Sequence, residues 1–228
     1  MNKKTKKIRD YIRKGVRRLK HRKGFGVHSP FAFAIITEVI EEKLPYYAYQ
    51  SMQRLYHKQA PLPMKVAALL FRLANRFHAR RIIEIGCDGG YSLLPALMAD
   101  SRNEVISLAT AEQMRHTEHS LVMYRGHYQR VSFIESIAQL PDDYLADMII
   151  VNGRPSSMTD EEFVSWIQMR IHDSSIIFVR GIQPGHMLES FWDTVCDNDA
   201  IEVTMDLYDY GLAIHRQHFF KQHYIVSF

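Results

Sequence analysis

The stretch Arg81–Ser92, RIIEIGCDGGYS, restricts the possible folds of this chain more than any other. Ile82, Ile83 and Ile85 suit a strand buried on both faces, the pattern of a parallel sheet. Glu84 falls near the carboxyl end of that strand. Gly86, Gly89 and Gly90 then permit a turn tight enough for a ligand to approach the main chain, because glycine tolerates positive φ and has no Cβ. Tyr91 onward (YSLLPALMA) reads as a helix whose free N–H groups face the turn. In open α/β sheets a nucleotide-like ligand binds at such a strand–glycine turn–helix unit, in the crevice beyond the strand's carboxyl end. The spacing E-x-G-x-x-G-G-x-S is not G-x-G-x-x-G, and no G-K-[S/T] follows, so a phosphate-gripping P-loop is excluded. A βα turn whose glycines serve packing alone gives the same pattern.

At 228 residues the chain suits a single domain with a substantial core, and 46% hydrophobic with 24% charged residues is a globular balance. Apolar runs such as Val66–Phe71 and Ile149–Val151 are too short to cross a bilayer. The charged start lacks the apolar centre of a signal peptide. Two cysteines, Cys87 and Cys196, make neither a disulfide framework nor a zinc site. The expectation is a cytoplasmic, reduced protein. Its net charge of +4 conceals an asymmetry: residues 1–23 carry twelve Lys/Arg against one acid, and the rest carry seventeen against twenty-four. The sequence therefore divides into a basic arm, 1–23, and a domain, 24–228. Within the arm Ile8, Tyr11, Ile12, Val16 and Leu19 recur at helical spacing. Such a basic amphipathic helix fits an anionic membrane surface, a nucleic-acid backbone, or the acidic face of its own domain.

After the arm, Ser29 is placed to cap a helix that Pro30 opens. Helices are expected over Pro30–Glu42, Met64–Asn75, Ala111–Tyr124 and Asp160–Arg170. Strands are expected over Glu104–Leu108, Val131–Ile134, Asp147–Val151 and Ser175–Val179. This alternation predicts a Rossmann-like, doubly wound sheet, mostly parallel, with helices on both faces. Ile201–Leu207, Leu212–Arg216 and His223–Phe228 read as strands with no helix between them, and Asp209–Gly211 as a turn. The sheet should thus close with an antiparallel hairpin.

The Glu84–Ser92 motif resembles motif I of the class I S-adenosylmethionine-dependent methyltransferases, near the E-x-G-x-x-x-G-x-S form of the small-molecule O-methyltransferases. G-V-H-S-P-F at Gly26–Phe31, RGIQPGHMLESFW at Arg180–Trp192 and the V-T-x-D-x-x-x-x-G run at Val203–Gly211 resemble segments of one bacterial group of that class. The resemblance implies S-adenosylmethionine as cofactor, held around Glu84, Gly86, Cys87, Asp88, Gly89, Gly90, Ser92, Ala109 and Asn152, and an acceptor that the sequence does not identify. Three acids that it implies are replaced. Ala109 stands where an acid ending the second strand would hold the ribose hydroxyls, Asn152 ends the fourth strand, and Arg180 ends the fifth. Glu112 offers a weak substitute for the first. A hard divalent cation needs carboxylate oxygens, so no metal is expected there. Arg180 could hold an anionic substrate or pair with a neighbouring acid.

Methyl transfer asks for in-line approach and a base for the acceptor's proton. His28, in the signature loop, is the candidate base, with a capping or packing role as its other reading. Asp88 could face the positively charged methionine end of the cofactor, or cap the next helix. Cys87 reads as a packing residue, Trp166 and Trp192 as helix faces packed on the sheet, and His116 with His119 as an incidental i, i+3 pair. Two functions stay open. One is methyl transfer without a metal. The other is a catalytically inactive methyltransferase fold that binds RNA or an anionic membrane through its arm.

Overall fold

The computed structural model describes residues 27–57 and 60–228, together with Gly15 and Arg17. The amphipathic pattern of the arm, and Gly26 of the signature run, lie outside the described residues. Ser29 caps α1 (Pro30–Ala34) by accepting the Ala32 amide at 3.3 Å, with Pro30 in the first helical turn. The helix widens into a π-type segment, Ile35–Ile40, whose late carbonyls Val39 and Ile40 accept from the buried Arg72 guanidinium. Two helices follow, α2 (Tyr47–Met52) and α3 (Met64–Arg76).

The sheet begins with β1 (Arg81–Ile85), followed by α4 (Leu93–Ala99), β2 (Glu104–Leu108), α5 (Ala111–Ser120), α6 (Arg125–Tyr128) and β3 (Val131–Ile134). Next come β4 (Ala146–Val151), α7 (Asp160–Gln168), β5 (Ile171–Arg180) and α8 (Glu189–Asp197). Last are β6 (Val203–Asp206), β7 (Tyr210–Ile214) and β8 (Gln222–Ile225). Among the described residues these form one eight-stranded sheet in the order β3-β2-β1-β4-β5-β7-β6-β8. The pairs from β3 to β5 are parallel, and β7 is antiparallel to both β5 and β6. The strand order reverses beside β1, which places a crevice at the carboxyl ends of β1, β2 and β4.

Period-two alternation sorts the strands onto two cores. Ile82, Met148, Ile150, Ile176 and Phe178 pack with α1, α3 and α4 on one face. Ile83, Ile85, Ile149, Val151, Ile177 and Val179 pack with α7 and α8 on the other. Trp166 and Trp192 are both buried in the second core, as their helical faces predict. Gly211 is required there, since a Cβ would lie 2.4 Å from the Trp192 ring. At the far edge β8 pairs with β6, and in parallel. The chain leaves β7, steps past the end of β6 over 215–221, and returns outside it, a crossover that turn residues alone do not announce.

Candidate functional site

Glu84 is fully buried at the carboxyl end of β1, on the same face as Ile82. The parallel register sets Ser107 of β2 directly beside it. Ser107 donates to Oε2 at 2.5 Å, while Ser92 Oγ at 2.5 Å and Asn152 Nδ2 at 3.1 Å donate to Oε1. Asn152 also donates to Ser92 Oγ at 2.9 Å, closing a ring of polar groups from β1, β2, the head of α4 and the end of β4. Its Oδ1 is buried with no hydrogen-bond partner among the described residues. Burial and the nearby Asp88 charge push the Glu84 carboxyl up to about 8, against the opposing effect of its serine donors. At neutral pH it is largely the neutral acid, and one serine contact then reverses, with the carboxyl O–H donating.

Above this ring Asp88 and Arg180 meet across the crevice. Arg180, ending β5, reaches past the end of β4 to donate to Asp88 Oδ2 at 3.2 Å, and its second terminal nitrogen donates to the Pro61 carbonyl at 2.6 Å. Asp88 Oδ1 accepts the Ser92 amide at 3.0 Å, closing the turn that leads into the following helix. The Asp88 side chain is only 8% exposed and that of Arg180 28%. Burial raises the Asp88 carboxyl, opposed by the Ser92 amide and by Arg180. Tyr56 donates its hydroxyl to the Tyr91 carbonyl. Tyr56 and Pro61 thus tie the segment before α3 to the same end of the sheet. Pairing, the less specific reading of Arg180, is present in this geometry, whereas Asp88 ties the turn at Ser92 without a side-chain cap on the helix itself.

The three glycines have separate reasons. All have φ between 81° and 89°. A Cβ on Gly86 would sit 2.6 Å from the Gly153 nitrogen, so glycine lets the turns after β1 and β4 touch. At Gly89 the Cβ position is filled by the His116 ring, and at Gly90 by Leu121. The α5 segment therefore seats on the outside of the turn. Gln113 also donates to the Cys87 carbonyl at 3.1 Å, and Cys87 Sγ lies 3.1 Å from Thr117 Oγ1. Cys87 is buried, which raises its thiol and marks it as a packing residue.

Glu84, Gly86, Asp88, Gly90, Ser92 and Asn152 thus gather at one place. Ala109 closes β2 at the same end, buried, with its amide on the Ile134 carbonyl and no acceptor to offer. Glu112 is exposed in the first turn of α5. His28 is not brought to this group. It is exposed beside Ser29, which adjoins Tyr224 of β8, and Phe31 packs edge-on against Phe219 before that strand. β8 lies five strands from β1, about 24 Å at the usual strand spacing. Two other histidines do reach the crevice end: His116 against Gly89, and His186, exposed beside Gly181 after β5. Ser107, Tyr56 and His186 went unread in the sequence. Ser107 alone had a signal, as a polar residue in an apolar strand facing the register position of Glu84. Among the described residues no three His, Cys, Asp or Glu side chains form a group able to hold a metal ion. Among them also, no helix is long and apolar enough to cross a membrane.

No protein-family model and no curated protein matches the sequence. Solved structures share the fold. The SAH-bound methyltransferase PaMTH1 of Podospora anserina superimposes with a TM-score of 0.57 at 16% identity, over 83% of this chain and 97% of that one. The O-methyltransferase TomG of Streptomyces achromogenes, involved in tomaymycin synthesis and in complex with SAM, gives 0.55 at 16%, over 80% and 96%. The O-methyltransferase of Bacillus cereus in complex with SAH gives 0.56 at 15%, over 80% and 97%. The fold is the Rossmann-like fold of methyltransferases, and its mostly parallel sheet, terminal antiparallel pair and flanking helices agree with the expectation from sequence.

Proposed function

We propose that this chain is an S-adenosylmethionine-dependent methyltransferase that acts without a metal on an acceptor bearing an anionic group. The observation that carries the reading is the meeting of Glu84, Asp88, Ser92 and Asn152, from three separate segments, at the carboxyl ends of β1 and β4. Structures of the same fold are described with SAM or SAH bound. The residues fit the amino-acid end of that cofactor: Asp88 offers a carboxylate to its positive charges, and Asn152 Oδ1 is an acceptor with no donor among the described residues. A cofactor held by Asp88 would leave the Arg180 nitrogen that now contacts Asp88 free for an anion on the acceptor, the other nitrogen staying on the Pro61 carbonyl. The main chain of the turn after β1 would hold the nucleoside end. The chain offers no ribose acceptor at Ala109, and a lost charge-assisted pair would lower affinity by about 2–3 kcal/mol.

When bound, the cofactor supplies an electrophilic methyl on a sulfonium. The protein's part is to align the acceptor and take its proton. We assign that proton to His186, exposed beside Gly181 after β5, in preference to His28 on the β8 edge. Calorimetric titration with S-adenosylmethionine tests the reading. Binding heat that S-adenosylhomocysteine abolishes by competition is expected, and no heat at millimolar ligand overturns it.

A second reading, an inactive methyltransferase fold, is favoured by two observations. Ala109 removes the ribose acceptor, and the Asp88–Arg180 pair already crosses the crevice. Residues 1–23 would then carry the chain to nucleic acid or an anionic membrane. Deleting them should abolish salt-sensitive association with RNA or anionic vesicles, and association that survives the deletion removes this reading.

A further inference from the structure

A cavity of about 600 Å³ is lined by none of the residues that gather at the crevice. It lies between the turn after α2, the end of α4 and the segment through α6. Met98, on its wall, is about 9 Å along the α4 axis from Ser92. Its lining has cations and no acid: Arg54 and Arg125 frame it, with His127, Tyr124, Met98 and Met123 as the walls. Neither guanidinium has an ion-pair or side-chain hydrogen-bond partner among the described residues. By contrast Arg130, behind His127, is held by the carbonyls of Leu97, Asp100 and Asn103. The Tyr124 hydroxyl donates to the Ser51 carbonyl at 2.5 Å, fixing that wall, and its ring meets His127 edge-on with centroids 6.4 Å apart. Burial, with Arg130 nearby, holds His127 below the usual histidine range, so it serves as a neutral aromatic wall.

We propose that this cavity binds a phosphomonoester carried on a flat ring, a molecule of mononucleotide size. Two guanidiniums without an ion-pair partner among the described residues match a dianionic phosphate in charge, and each is a planar fork of donors. Methionine and aromatic walls match a planar body, through sulfur–ring and edge contacts. The volume lies within the range of small-ligand sites and is far larger than a lone phosphate needs. Arg54 and Arg125 are exposed, so truncating them leaves the core intact.

The test is titration with AMP, inorganic phosphate and adenosine, on the full chain and on an R54A/R125A variant, with circular dichroism to verify folding. AMP should bind most tightly, phosphate at least tenfold more weakly, and adenosine without detectable heat at the same concentration. The double substitution should weaken AMP at least tenfold while leaving S-adenosylhomocysteine binding unchanged. AMP affinity unaltered by the double substitution, or AMP wholly displaced by S-adenosylhomocysteine, overturns the proposal. The comparison of variant and parent decides the cavity even if the crevice binds no S-adenosylhomocysteine.

Discussion

Two aspartate–arginine pairs sit at the carboxyl end of the same sheet, in unlike surroundings. Asp88 and Arg180 meet over the crevice, where the aspartate is nearly sealed from water and Pro61 holds the same guanidinium. Asp206, ending β6, holds Arg17 of the basic arm in a two-pronged pair at 2.8 and 2.6 Å, with both side chains about one-fifth exposed. The Arg17 guanidinium also lies over the Tyr208 ring, 5.2 Å from its centroid. The geometry at the far edge is the better of the two, yet water screens it and the energy at stake is small. At the crevice the contact is single and longer, but breaking it without a replacement leaves a buried charge. The Arg17–Asp206 pair joins Arg17 to the end of β6. The Asp88–Arg180 pair is the one that, on the proposed function, a charged ligand would have to open.

The difference can be broken from several sides. Gly86→Ala has the largest expected effect, since it forces a Cβ into the Gly153 backbone at positive φ. Unfolding in urea should show a loss of about 3–4 kcal/mol, with cofactor binding abolished. Arg180→Ala strands Asp88, and a loss of about 3 kcal/mol is expected by the same measurement. Restoring charge neutrality with D88N in the same chain should recover much of it.

Ala109→Asp supplies the missing ribose acceptor and should tighten S-adenosylmethionine binding by tenfold or more, read by calorimetry. Glu84→Gln separates the crevice from the rest by pH. The folded-state carboxyl near 8 lies above its usual value, so the native protein keeps a proton that the unfolded chain gives up. Stability is then full below the ordinary carboxyl range and falls as pH rises through 8, by up to about 1.4 kcal/mol per unit. In Glu84→Gln that slope should flatten. Arg17→Ala is the smallest change, at most about 1 kcal/mol and vanishing in high salt.

Much of this arrangement was legible in the residues themselves. The alternation of strands and helices, the glycine turn and the Ser29 cap follow from local patterns that the packing does not override. The parallel return of β8 did not, because strand order depends on a crossover rather than on turn residues. Glu84 was readable as a site acid, but its Ser107 partner depends on register and Tyr56 on a contact across 35 residues. Arg180 was readable as a fixed cation replacing an acid, and its reach to Asp88 depends on a contact across 92 residues that no local pattern announces. His28 drew notice for its place in a signature loop, whereas the fold sends that loop to the opposite sheet edge through Phe31 and Phe219. His186 carried no pattern at all, since a histidine in an irregular loop is defined by where the strand before it ends.

The measurement that bears most directly on the central claim is a crystal structure grown with S-adenosylhomocysteine. The account predicts the nucleoside along the main chain after Ile85, Asp88 turned to the amino-acid end, and Arg180 released from it. A crevice still crossed by an unbroken Asp88–Arg180 pair, with no ligand at millimolar concentration, would contradict it.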